Sequence, residues 1–178
     1  MQFNVASLLK EPVGSVRNYT LDEEEVRLED LQVAPFHGAV RFTRTEKGVW
    51  VHARVDTAVS CTCSRCLAVY SQRLEFTFDE EFFPTVDVQT GARLPLPPPE
   101  SDAFTIDAHH LLDLTEVIRQ YALVSIPMKP LCRADCRGLC PTCGANLNRG
   151  PCACPAPTPD PRWETLRRLL ASKKHDNP

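Results

Sequence analysis

Nine cysteines, eight of them in short-range pairs, constrain this 178-residue chain more than any other feature. The pairs are Cys63/Cys66, Cys132/Cys136, Cys140/Cys143 and Cys152/Cys154, and Cys61 is left over. Disulfides more often join distant positions, and an odd total fits badly with full oxidation. Short-range pairs are instead how metal sites are built. The N-terminus, Met1-Gln2-Phe3-Asn4-Val5, has no basic region leading into an apolar run, so no secretory signal is expected. No stretch approaches the roughly 18 apolar residues of a membrane span. A soluble, cytoplasmic protein with reduced thiols is therefore expected.

Zinc takes four ligands in a tetrahedron, with sulfur about 2.3 Å from the metal. Cys140-Pro141-Thr142-Cys143-Gly144 has the form of a turn that converges two thiolates, and Gly144 is free to take a positive φ. Cys152 and Cys154 can complete the set, giving a tail site of Cys140, Cys143, Cys152 and Cys154. A second set, Cys63, Cys66, Cys132 and Cys136, would join a hairpin turn to the tail. No spacing rule forces that second set, because its pairs lie about 65 residues apart. In one alternative Cys132 or Cys136 replaces a ligand of the tail site; in another Cys63 and Cys66 are unliganded thiols. A redox dithiol at Cys63-Ser64-Arg65-Cys66 wants a helix N-terminus, whereas the flanks here read as strands. One or two structural Zn²⁺ ions are thus expected, in closed sites that organise the fold and leave no position for substrate.

The rest of the chain reads as an α+β protein with an antiparallel β meander, barrel-like, and one packed helix. Residues 3–10 suggest a short helix, and 15–31 a loop or strand edge around Asp22-Glu23-Glu24-Glu25. Residues 36–83 carry the clearest β pattern: Leu74, Phe76 and Phe78 point one way, with Glu75, Thr77 and Asp79 the other. Asp79-Glu80-Glu81 reads as a solvated strand end, and His37 and His52 as strand residues without a catalytic role. A Pro-rich loop is expected at 84–103. Asp107 is then the expected N-cap of a helix that opens with His109-His110 and presents Leu111, Leu114, Val117/Ile118 and Tyr121/Ala122. The domain plan is a body over 1–128, a zinc-binding segment over 129–155, and a Pro-rich spacer with a C-terminal helix over 156–178. That last helix starts at Asp160-Pro161 and puts Trp163, Leu166, Leu169 and Leu170 on one face.

Charge is uneven. Residues 1–128 hold 11 Lys/Arg against 19 Asp/Glu, a balance of −8; residues 129–178 hold nine against four, a balance of +5. A tetrathiolate zinc site carries −2 and would cut the tail to about +3. Arg133, Arg137, Arg149, Arg162, Arg167, Arg168, Lys173 and Lys174 are the candidates for contact with RNA phosphates or a partner. Arg167, Arg168, Lys173 and Lys174 could equally complement the C-terminal end of their helix dipole. There is no phosphate-binding glycine loop and no assignable Ser/His/Asp set, so no enzyme activity and no small-molecule substrate are expected.

One order of motifs carries a family resemblance. Cys63 to Leu67 is followed by Asp79-Glu80-Glu81, Leu112 to Glu116, and the run from Pro127 through Cys132, Gly138-Leu139-Cys140 and Cys143-Gly144 to Asn148; Asp160-Pro161-Arg162-Trp163 closes it. This resembles the YceD-like family of bacteria and plastids, the large-subunit ribosomal RNA accumulation proteins, over roughly residues 60–172. The resemblance implies a non-enzymatic role in the synthesis, processing or stability of that RNA. It also implies binding to large-subunit ribosomal RNA or to a ribosome-assembly protein. Cys61 lies outside the pattern. Two other readings are a zinc-dependent protein–protein adaptor without RNA contact and a redox-sensing zinc chaperone.

Overall fold

A computed structural model describes residues 1–23, 27–28, 31–32, 35–95, 103–155 and 160–166. The chain forms two compact units, Met1–Cys136 and Arg137–Pro178.

The first unit is mostly sheet. Its elements are β1 (Gln2–Asn4), α1 (Ala6–Leu9), β2 (Val16–Glu23), β3 (Arg27–Leu28), β4 (Leu31–Gln32), β5 (Phe36–Arg44), β6 (Val49–Thr62), β7 (Val69–Pro84), β8 (Phe104–Ile106), β9 (Leu111–Asp113) and α2 (Thr115–Ser125). Seven strands pair in the order β1-β9-β8-β7-β6-β5-β2, and β3 pairs with β4 separately. The long hairpin of β6 and β7 is the spine, in antiparallel register from Val49↔Phe82 to Thr62↔Val69. Period-two patterning explains it: Val49, Val51, Ala53, Val55 and Val59 of β6 face inward, opposite Leu74, Phe76, Phe78 and Phe82 of β7. Among the described strands only the β7–β8 pair is parallel, which needs a long connection in sequence, and 19 residues, 85–103, separate Pro84 from Phe104. Part of that segment forms a turn closed by a Val86–Arg93 bridge, with the Asp87 carboxylate accepting from Gln89 and Thr90 N–H. The proline run at 97–99 lies outside the described residues.

The sheet curls. β1 and β2 are its two edges, yet Phe3 of β1 meets Tyr19 of β2 at 5.2 Å between ring centroids, and both meet Phe42 of β5. Inside lie the large apolar side chains of both ends, together with Val117, Ile118 and Ala122 of α2.

Three local expectations need correction. Asp107 does not cap a helix: its carboxylate accepts N–H bonds from His109 and Leu111 at 2.8 Å each and shapes the β8–β9 turn. His109 and His110 therefore sit in a turn, His110 with φ +60°. Leu111–Asp113 is a strand, since pairing with β1 and β8 satisfies its backbone and buries Leu112. The helix begins eight residues later than Asp107, at Thr115, whose N–H donates to Asp113 at 2.8 Å. Residues 3–10 are split between a strand and a single helical turn. Asp79-Glu80-Glu81 lies within β7 and is partnered throughout, by His52 and Trp50, by Tyr121 and by Thr45 respectively.

In the second unit, residues 137–140 and 145–148 form a short ribbon. It is held by the Leu139–Asn146 bridge, Leu147 N–H to the Gly138 carbonyl, and Arg137 N–H to Asn148 Oδ1. At Asp160 the carboxylate accepts from Arg162 N–H, opening a 3-10 turn over Pro161–Trp163 that continues as helix to residue 166. Trp163 and Leu166 are exposed, and Leu169 and Leu170 lie outside the described residues. No described helix is long and apolar enough to cross a membrane.

Candidate functional site

The β6–β7 connection is built as a knuckle. Cys63 N–H donates to the Ala68 carbonyl at 2.9 Å, and Leu67 N–H returns to the Cys63 carbonyl at 3.0 Å. In the tail, Cys140 N–H donates to Ala145 and Gly144 N–H returns to Cys140, at 2.8 and 2.9 Å. The two turns are the same device. Each puts its fifth residue in the left-handed region, Leu67 at φ +57° and Gly144 at φ +72°. Glycine suits that conformation; leucine carries the steric cost of a Cβ in it. The second knuckle followed from its Cys-Pro-Thr-Cys-Gly spelling, whereas nothing in Leu67 announces a positive φ.

Each knuckle is met by another cysteine pair. Cys63, Cys66, Cys132 and Cys136 form one group, Cys140, Cys143, Cys152 and Cys154 the other, and within each the sulfurs lie within 4.8 Å of one another. Cys63 to Cys136 is 3.8 Å between sulfurs and Cys66 to Cys132 is 3.6 Å. A disulfide would need about 2.05 Å. A tetrahedron of 2.3 Å metal–sulfur bonds has edges of about 3.8 Å. Both groups could hold a metal ion. Cys61 is in neither: it faces the core from β6, and burial pushes its thiol up.

The surroundings of the hairpin group are well built. Ser64 donates to the Pro130 carbonyl through both its N–H and its hydroxyl, and the Arg65 guanidinium donates to the Cys136 carbonyl at 3.0 Å. These bonds fasten the knuckle to the segment carrying Cys132 and Cys136; spacing gave no sign of them. The Cys132 N–H foremost, then those of Cys66 and Arg65, lowers the Cys63 thiol to about 6, overcoming its burial. Burial and bonds to the neighbouring thiols push Cys132 up to about 12. The tail group repeats this division. N–H groups of Cys143 and Thr142 bring Cys140 down to about 6, while the bond to Cys143 and burial raise Cys154 to about 12. Each group thus holds ready thiolate and retained protons side by side. Metal entry would displace those protons and would strengthen as pH rises.

Exposure separates the two groups. Cys63, Cys66 and Cys136 are buried, whereas Cys143 is exposed and Cys152 and Cys154 are half-buried. A cleft of about 410 Å³ borders the tail group.

The tail cations fall into three sets. Arg133 is paired with Asp135 at 3.4 Å and Arg162 with Asp160 at 2.8 Å. Arg137 is exposed on the ribbon and Arg149 is exposed one residue past it. Arg167, Arg168, Lys173 and Lys174 lie outside the described residues.

An uncharacterized protein of Mycobacterium leprae is 28% identical over 141 residues, covering 78% of this chain. Uncharacterized proteins of Mycobacterium bovis and Mycobacterium tuberculosis are 30% identical over 131 residues, covering 74% of it. The chain spans about 60% of the length of these relatives. No solved structure matches. Residues 51–170, which include all eight paired cysteines, match the family described as large ribosomal RNA subunit accumulation protein YceD. The chain belongs to the YceD family.

Proposed function

We propose that this protein is a non-enzymatic cytoplasmic factor that supports the synthesis, processing or stability of large-subunit ribosomal RNA, with two structural zinc ions holding its working surface. The observation that carries the reading is the extent of the family match, which spans both four-cysteine groups and the segment between them. All-sulfur donors suit zinc, and four of them leave no open coordination position, so the metal's part is structural. The tail needs such support: among the described residues, the apolar core cluster has no member beyond Ala122, and the last side chain packed against it is Ile126. Its action is on the RNA or on a ribosome-assembly protein beside it.

Depleting the protein in its own organism should lower large-subunit ribosomal RNA relative to small-subunit RNA, read by quantitative hybridisation. An unchanged ratio would overturn the proposal. Elemental analysis of untagged protein should give two zinc ions per chain, falling to one in Cys63→Ser and to one in Cys140→Ser.

A further inference from the structure

Building on the ribosomal RNA reading, we propose that the tail unit binds single-stranded RNA, seating one unpaired base in the cleft beside Cys140, Cys152 and Cys154. The adjoining backbone phosphate lies on Arg149.

The cleft is too large to be the seat of an ion. A metal bonded to four sulfurs at about 2.3 Å fills the space between them, whereas this cleft measures about 410 Å³. That is within the range of pockets that take small-molecule ligands, about 300–1,000 Å³. Pro141, Leu147, Pro151 and Pro155 give it apolar wall, and Thr142 adds a hydroxyl beside the sulfurs. Three proline rings and a leucine offer flat surface to a base face without ordering mobile side chains on binding. Arg137 lines the same cleft, and a guanidinium plane stacks on a base as an aromatic ring does.

Charge selects the orientation. With zinc bound, the four thiolates leave the group at −2, which repels a phosphate placed against the sulfurs. The neutral base, with its N–H donors toward sulfur, fits there instead. The phosphate is left to the guanidinium groups of Arg137, on the ribbon, and Arg149, just past it. Arg137 N–H bonds Asn148 Oδ1 at 2.8 Å, so Arg137 and Arg149 stand at the same open end of that ribbon. No carboxylate lines the cleft among the described residues, and neither of these arginines is ion-paired there. Arg162, by contrast, is engaged by Asp160 at 2.8 Å. A duplex hides its bases, so the cleft discriminates in favour of unpaired RNA.

The test uses the full zinc-loaded chain and fluorescence anisotropy with labelled short oligo(A) and oligo(U), against a blunt RNA duplex of equal length. Single strands are expected to bind more tightly than the duplex. Arg137→Ala should lose about tenfold or more in affinity through the missing stack. Arg149→Ala should make the log–log salt dependence shallower by about 0.7, one phosphate contact on a single strand. Both variants should keep the wild-type zinc content, which separates a lost contact from a lost fold. Equal affinity for duplex and single strand, wild-type behaviour of both variants, or capture of a protein partner with no RNA bound would each overturn the proposal. If depletion lowers large-subunit RNA while no single strand binds, the cleft assignment falls and the functional reading stands. If single strands bind as described and depletion changes nothing, the cleft assignment stands and the functional reading falls.

Discussion

Leu67 and Gly144 occupy equivalent positions in two copies of one turn, and only glycine is at ease there. Leu67 is 63% exposed, so its side chain contributes little packing to offset the left-handed backbone. Leu67→Gly should hold stability within about 1 kcal/mol of the parent, on the stabilising side. Leu67→Val should lose about 1–2 kcal/mol, because a β-branched side chain tolerates that φ least. Denaturant melts of the two variants check the contrast. Tyr121 donates its hydroxyl to Glu80 at 2.8 Å on the inward side of β7, and that bond together with burial raises the Tyr121 pKa. Tyr121→Phe should cost about 1 kcal/mol in the same assay. Glu116 illustrates the pH dependence. Hydrogen bonds from Arg119, then Gln120, hold its carboxyl at about 2 in the folded chain, below its ordinary 4.5. The stability it adds is complete above pH 4.5 and vanishes as pH falls through 2. The pair is half-exposed, so the amount is below about 1 kcal/mol. Glu116→Gln should flatten that part of the acid-unfolding curve and leave the neutral range nearly unchanged.

At the scale of elements, what could be read in advance was set by length. β6 and β7 run for 14 and 16 residues, long enough for alternation such as Leu74, Phe76, Phe78 to exclude a helix. β8 and β9 have three residues each. Over so short a run, Leu111 and Leu114 fit a helical spacing as readily as Leu112 and Leu114 fit a strand. The antiparallel partner β1, more than 100 residues away in sequence, decided between them. The cysteine groups divide in the same way. The tail group lies within 15 residues and could be assembled from spacing, whereas the hairpin group depended on tertiary pairing that spacing alone left open. Their different exposure also predicts an order of metal loss. A zinc chelator or mild peroxide should empty the tail group first, because Cys143 is exposed and a cleft opens beside it, while Cys63 and Cys136 are enclosed. Release followed by a colorimetric zinc indicator should show two phases in the parent chain, with the fast phase missing in Cys140→Ser.

For the whole molecule, the division at Cys136/Arg137 puts the two groups in different units. If the tail group holds zinc as proposed, that metal supports a unit that adds nothing described to the apolar core, so Cys140→Ser should unfold the tail and leave the main melting transition in place. The hairpin group instead joins positions about 65 residues apart within the sheet unit. Closing a loop of that length removes unfolded-state entropy worth roughly 4 kcal/mol if a metal cross-link acts as a disulfide would. Cys63→Ser should lower that main transition accordingly. The separation also sets a timetable for synthesis. At about 5–20 residues per second, Cys66 leaves the translating ribosome roughly 3–13 s before Cys132. During that interval the emerging hairpin presents two thiols of an unfinished site, and the last strands of the sheet, β8 and β9, leave the ribosome before Cys132 does. For the proposed metal to find its full set, the nascent chain must keep those thiols reduced and unclaimed until its own Cys136 arrives.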